Sequence, residues 1–425
     1  MSNIDHKTDA AKRGSAALIQ VGVSIPQIYP HIPVRHAGGA VMNYPASSQV
    51  VLHQHKIHTY FNSTTSTQNV LGSSGFVDVR LPAQALQVIT GVTLELKLSN
   101  DTELPITLPA NSFTLLDRVE ILAEGGNQVI ARFESSALMF PFRFVDALSY
   151  ERFARGFESP GPLGPGETRS IYLPILQHPL ASNHVYGGSI SSDMYVRCWF
   201  RGTTGISSFN PQASPEQDSA NSSIPTLKSL NVVVAQDYVD ADARRSLQVR
   251  AKKERLDFRF QRPGYQSMTE HLAPGQRYSW QLTAIHGLVS ELIILIRDPT
   301  NKPGSFYTRP IASVELLDSS GTSVLGGGAL PMGLLQQDMA SKQTSRALDF
   351  PNGGPPVVLE FGSARDDLSH GTISGYLPMN GSYQLAITTG VGPFAFNADT
   401  YEIIVYYNAA ACLSIEKGQI SVRPS

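Results

Sequence analysis

The sequence predicts an all-β protein made of two copies of one β-domain, on three observations: a segment that recurs, a turn-rich composition low in charge, and strands that alternate with a period of two. The recurrence is the most specific. Val119, Glu120, Leu122, Gly126 and Val129 return as Val314, Glu315, Leu317, Gly321 and Val324, all at one shift of 195. Ile121 and Ile130 map onto Leu316 and Leu325 at that shift, so the apolar pattern survives where the residue changes. Gly91 then matches Gly287, and Tyr172-Leu173-Pro174 matches Tyr376-Leu377-Pro378, with the shift growing from 195 to 204 along the chain. Loop insertions inside two copies of one fold produce such a drift. The 425 residues also exceed what one core serves, since single cores stop growing at about 250 to 300 residues.

Composition supports the β assignment and narrows the partners. With 35 Gly, 28 Pro and 16% charged residues, the chain resembles turn-rich β proteins, and 41% hydrophobic residues supply packed interiors. A formal charge of -2 argues against a chain that coats nucleic acid, because neutralising phosphates demands clustered Lys and Arg. Cys198 and Cys412 are too few for a disulfide framework, and each sits in an apolar strand as a small hydrophobe, which points to a reducing compartment. The strongest apolar run, Leu292 to Ile296, is bounded by Glu291 and Arg297 and falls far short of the about 18 residues of a membrane span. The opening MSNIDHKTDAAKRGSAALIQ lacks a signal-peptide core, so no secretion is expected.

Along the chain, residues 1–49 carry scattered Pro, Gly and His with little periodicity and read as an extended arm, with one short helix over Asp9 to Val21. Strands begin at His53. Phe76 to Leu81 and Val92 to Leu98 alternate apolar and polar residues, as half-buried sandwich strands do. Met194, Val196, Cys198 and Phe200 line one side of a strand whose other side holds Tyr195, Arg197 and Trp199, and this strand is expected to be covered on both faces. Leu230 to Val234 reads as fully buried. Gly202 to Lys228 is a long Ser, Pro, Asn and Gln loop, and loops beyond about 12 to 15 residues are usually functional or mobile. Glu134 to Gly156 suggests helical turns, with a counterpart at Leu330 to Arg346, so each copy inserts a short helix after the same hairpin. Asp237 to Arg255 interleaves Arg244, Arg245, Arg250, Lys252, Lys253 and Arg255 with acids, a solvated linker face. The chain divides into an arm (1–49), a first β-domain (50–236), a linker (237–255) and a second β-domain (256–425).

Catalytic chemistry finds no support, and no enzyme activity and no cofactor are expected. His53 and His55 would share a strand face at a metal-site spacing, but two side chains rarely complete a site and no acidic or cysteine partner is near. Gly326-Gly327-Gly328 lacks the flanking residues of a phosphate cradle and reads as a turn. Glu120 and Glu315 are equivalent positions in two copies, which need not be close enough for paired-carboxylate glycoside chemistry. No GxSxG motif surrounds a serine, and neither cysteine lies in a nucleophile motif. Gly126 and Gly321 should occupy equivalent turns with positive φ.

The paired VEIL and VELL hairpins, the two YLP segments and the closing strand YEIIVYYNAA, set in two successive sandwiches behind an arm, resemble the double jelly-roll major capsid proteins of the tectivirus and adenovirus lineage. The resemblance covers nearly the whole chain as architecture. It implies two tandem eight-stranded jelly rolls and a trimer whose six rolls imitate a hexagon, tiling an icosahedral virion shell. It further implies synthesis in the host cytoplasm, contacts with neighbouring capsomers, vertex or minor capsid proteins and an internal membrane, and no sequence-specific nucleic-acid binding. By the same analogy Gly202 to Lys228 would be an outer tower loop, and Lys7, Lys12 and Arg13 would lie on the inner side. Two alternatives stay open on the residues alone. One is another virion component such as a spike or vertex protein. The other is a two-sandwich carbohydrate-binding or glycan-processing protein, for which Trp199 and Trp280 are the available tryptophans.

Overall fold

The computed structural model describes residues 50–61, 70–72, 75–106, 108, 111–123, 128–158, 161–201, 225–239, 241–297, 308–325, 327–342, 356–361, 375–392, 396 and 400–424. The arm, Gly126, Gly326 and residues 202–224 of the long loop lie outside them.

Eight strands make the first sandwich: β1 (Val50–Phe61), β2 (Phe76–Leu81), β3 (Val88–Ser99), β4 (Leu116–Ala123), β5 (Gln128–Glu134), β6 (Thr168–Pro174), β7 (Met194–Phe200) and β8 (Thr226–Val239). They pair antiparallel in two sheets of order β1-β8-β3-β6 and β2-β7-β4-β5. This is the pairing of eight consecutive strands wound as two Greek keys, the jelly roll. The alternation written in the sequence sets which face is buried. In β7, Met194, Val196, Cys198 and Phe200 are buried and Tyr195, Arg197 and Trp199 are half-buried. The second face is covered as expected, but by a polar and aromatic layer: Phe76 lies 4.6 Å from Trp199, and Arg118 sits 4.1 Å over that ring. β8 departs from the sequence reading. Leu230, Val232 and Val234 are buried, whereas Asn231 and Val233 are half-buried, because that face looks outward and Asn231 Nδ2 donates to Glu95 Oε2 at 2.7 Å. β8 also begins at Thr226, so the end of the expected loop is strand.

The second sandwich repeats the plan with β9 (Leu256–His271), β10 (Arg277–Gln281), β11 (His286–Arg297), β12 (Ile311–Leu317), β13 (Leu330–Pro331), β14 (Val357–Glu360), β15 (Leu377–Asn380), β16 (Gln384–Thr389) and β17 (Thr400–Glu416). One sheet runs β10-β16-β12-β13; in the other β9 pairs β17, β17 pairs β11, and β14 and β15 both pair β11. Counting β14 and β15 as one interrupted strand restores the jelly-roll order. A further strand, β18 (Gln419–Pro424), takes this roll beyond eight strands by pairing with the end of β17.

The recurrent segments fall on equivalent strands. Val119 on β4 faces Cys198 on β7, and Val314 on β12 faces Ile387 on β16, the fourth and seventh strands of each roll. Both YLP segments meet the third strand: Leu173 pairs Leu94, and Leu377 pairs Val289. Gly321 adopts φ +80° in the turn after β12, where Asp318 Oδ1 accepts from Ser320 N and Thr322 N at 2.8 and 2.9 Å. Each copy also carries its helical insertion. In the first, two 3-10 turns (Ser135–Leu138 and Phe140–Phe144) lead into α1 (Ala147–Phe157), whose N-cap Asp146 accepts from Ser149 N. Residues 241–253 between the rolls form α2 (Ala241–Lys253), and α3 (Met332–Lys342) is the second insertion.

Each roll has its own buried core, but the first recruits the second half of the chain. Leu256, Phe258 and Phe260 of β9, Ala411, Leu413 and Ile415 of β17, and Ile420 of β18 all pack in the first core, as do Leu247 and Ala251 of α2. The antiparallel pair of β9 and β17 therefore spans both cores.

Candidate functional site

For a chain with this architecture, the functional geometry is the seam that fixes one roll against the other. β11 is buried on both faces from Val289 to Arg297. Leu292, Ile294 and Ile296 face the second core, while Ile293 and Leu295 face outward with Ile404 and Tyr406 of β17 and Val358 of β14. The first roll's insertion covers this outward patch with Ala137 and Phe140, and Phe140 meets Tyr406 edge-on at 5.0 Å. A continuous apolar run is what a strand covered on both faces requires.

Two buried ion networks flank the apolar patch. In one, Arg143, 1% exposed, donates from Nη2 to Glu291 Oε2, lies 3.5 Å from Glu360 Oε1, and donates from Nη1 to Phe140 O at 3.2 Å. Asn408 Nδ2 donates to the other oxygen of Glu291. In the second, Glu134 Oε1 accepts from Arg201 Nη2 at 2.6 Å, and Oε2 accepts from Tyr406 Oη at 2.6 Å and from Ser136 N at 2.8 Å. Arg297 stands 4.0 Å from Glu134 and donates to Glu402 Oε2 at 2.8 Å. Burial pushes the Glu134 carboxyl up, but Arg201, Arg297, Tyr406 and Ser136 together hold it below the usual carboxylate range. Removing one partner of such a buried pair leaves an uncompensated charge, so both networks fix the relative placement of the rolls.

The sequence did not single out these residues. Glu291 and Arg297 are the charges that bound the Leu292 to Ile296 run, and that run inside a charged frame was the available signal. Arg143 lies 148 residues before Glu291 and Glu134 a similar distance before Arg297, and nothing local marks either.

The expected site residues distribute as follows. Lys7, Lys12 and Arg13 lie outside the described residues. β1 sets His53, His55 and His58 opposite Asp237, Ala235 and Val232, and their side chains lie outside the description. Among the described residues no three His, Cys, Asp or Glu side chains group to hold a metal ion, and no helix is long and apolar enough to cross a membrane. Glu120 is held in its own sheet by Arg132 at 2.8 Å, Arg118 at 3.2 Å and Trp199 Nε1 at 3.2 Å, and Glu315 in its sheet by Arg277 at 2.6 Å. Each carboxylate is thus spent on a local ion pair. Cys198 is buried, which pushes its thiol up, and is unbonded to Cys412. Trp280 stacks on Tyr278 at 6.1 Å, and both rings pack against the second core instead of lining an open aromatic trough.

No protein-family model matches the chain, and no curated protein matches it. Solved structures do. A chain of the PBCV-1 virus capsid is 12% identical, with 88% of this chain and 97% of that one covered at a TM-score of 0.63. The Faustovirus major capsid protein is 9% identical, with 87% and 91% covered at 0.57. A chain of the Sputnik virophage is 10% identical, with 87% and 88% covered at 0.51. At these identities the likeness is one of fold: this chain has the double jelly-roll architecture over nearly its whole described length.

Proposed function

We propose that this chain is a structural major capsid protein, non-enzymatic, that assembles with copies of itself into the shell of an icosahedral virion. The observation that carries the reading is the pairing of two complete jelly-roll strand orders in one chain with a buried seam that holds them rigidly side by side. Two fixed rolls per chain let a trimer present six similar lobes, a hexagon that packs a shell while keeping two kinds of edge. The chain divides, on this proposal, into arm (1–49), first roll (50–236), linker (237–255) and second roll (256–425). Lys7, Lys12 and Arg13 are assigned to the inner side and residues 202–228 to the outer. Neighbouring capsomers are the main partners, with vertex or minor capsid proteins and an internal membrane as further ones, and the protein is made in the host cytoplasm and resides in the virion. The spike, vertex and carbohydrate-binding readings gain no specific observation.

Light scattering of the purified protein tests the assembly unit. A mass of about three times the 46.1 kDa chain supports the proposal. A monomer that persists at micromolar concentration overturns it, because an obligate trimer should bury more than about 2,000 Å² of surface.

A further inference from the structure

On the side of the seam opposite the ion networks, the same strands leave an open cleft of about 400 Å³ between the rolls. Its floor is the shared face of β9, β17 and β11. Gly264 lies directly under the ring of Tyr407, where a Cβ would stand 2.4 Å from the ring, so only glycine lets that tyrosine lie flat across the strand. Ala409 and Gly287 continue the floor with little side-chain bulk. Arg132 of β5 stands on the first roll's wall and His286 on the second's, and Arg262 rises from β9.

The charges around this cleft are one-sided. Its lining holds two arginines, one histidine and no carboxylate. Arg132 donates from Nε to Glu120 at 2.8 Å, which leaves its terminal nitrogens for another acceptor. The Arg262 side chain is exposed and has no hydrogen bond or ion pair with any described residue. Other exposed arginines, among them Arg244, Arg245 and Arg259, also lack a partner among the described residues, and Arg262 differs from them in lining the cleft beside a second guanidinium. A cleft of this size falls within the range of about 300 to 1,000 Å³ typical of small-molecule sites, in which a few polar groups fix a ligand over an apolar floor.

We propose that the cleft is a binding site for a small oxyanion, a phosphate or a carboxylate carried on a compact molecule, with Arg262 and Arg132 taking the charge and the Tyr407–Gly264 floor taking its body. The assignment does not depend on the capsid reading. Guanidinium forks match both anions in geometry, and such charge-assisted bonds are about twice as strong as neutral ones.

Calorimetric titration of the full-length protein, in its native oligomer and in a chloride buffer, tests this with two probes: inorganic phosphate and N-acetylneuraminate, a carboxylated sugar. Saturable binding of one molecule per chain is expected for at least one probe, phosphate alone marking a free phosphate ligand and the sugar alone an acidic glycan. Arg262→Gln should weaken it by about tenfold or more, a loss of one charge-assisted bond. Ala409→Asp, which sets a carboxylate on the floor, should abolish it, and Arg80→Gln should leave it unchanged. Thermal unfolding followed by tryptophan fluorescence verifies that each variant is folded. Failure of both probes to saturate at millimolar concentration overturns the proposal, as does equal weakening by Arg262→Gln and Arg80→Gln.

Discussion

The two rolls share one strand order and differ in how they complete it. The first has eight uninterrupted strands and a core that includes Phe113, Phe142 and Phe157, tilted against one another with centroids within 6.0 Å. The second has a fifth strand of two residues and a sixth strand broken into β14 and β15. Yet the more regular roll is the less self-sufficient one, because Phe258, Leu413 and Ile420 from the second half of the chain fill its core. The difference teaches that duplication has produced one cooperative object and not two beads on a string. The second half supplies core to the first, and the first supplies a cover, Phe140 and Arg143, to the second.

One tryptophan in each roll, Trp199 on β7 and Trp280 on β10, lets this comparison be broken by experiment, since Trp199→Phe and Trp280→Phe leave single reporters. The largest effect is expected from Arg143→Ala, which strands Glu291 in the seam and should cost about 3 to 5 kcal/mol in denaturant unfolding. Both reporters should shift together; a shift at Trp199 alone would mean that the rolls unfold independently. Leu413→Ala should follow at about 2 to 5 kcal/mol and should shift the Trp199 transition together with that of Trp280, although Leu413 belongs to the second half of the chain. If only Trp280 responds, the shared-core account is wrong.

Acid should act through the first roll. Burial pushes His178, in the first roll, down to about 3, and a new proton would have to enter at Nδ1, which already accepts from Leu180 N at 3.3 Å. The unfolded chain protonates this group near its ordinary value of 6.5 while the folded chain does not, so stability is complete above that pH and is lost as pH falls toward 3. The expected slope is about 1.4 kcal/mol per pH unit. His178→Gln should flatten the Trp199 unfolding curve between about pH 6.5 and 5, above the range where carboxylates contribute. An unchanged slope would remove this asymmetry. The smallest effect belongs to Gly321→Ala, which forces a side chain into φ +80° and should cost about 1 to 2 kcal/mol, read at Trp280.

Much of this architecture was legible in the sequence because local chemistry carried it. The alternation matches β2 from Val77 to Leu81, while the apolar Phe76 is exposed, and the shift of 195 laid β4 on β12 without a gap. Gly321 met the expectation of positive φ because a tight turn after a strand needs it, while Gly126 lies outside the described residues. What escaped is long-range. Glu134 with Arg297 and Arg143 with Glu291 join positions that only the closed fold brings together, and a charged residue at a strand end reads locally as solvated. The interleaved basic run at 237–255 hid a helix, because its acids and bases mask the two buried positions, Leu247 and Ala251, spaced one turn apart. The oxyanion cleft left no mark either, since Gly264, Gly287 and Ala409 become a floor only when three distant strands align.

The central claim is that two rigidly joined rolls in each chain let three chains form a hexagonal capsomer. Electron-microscopic class averages of the purified oligomer test it most directly. The account expects particles with three-fold symmetry and six lobes of nearly equal size in a hexagonal outline. Two-lobed single chains, or rings of any other symmetry, would contradict it.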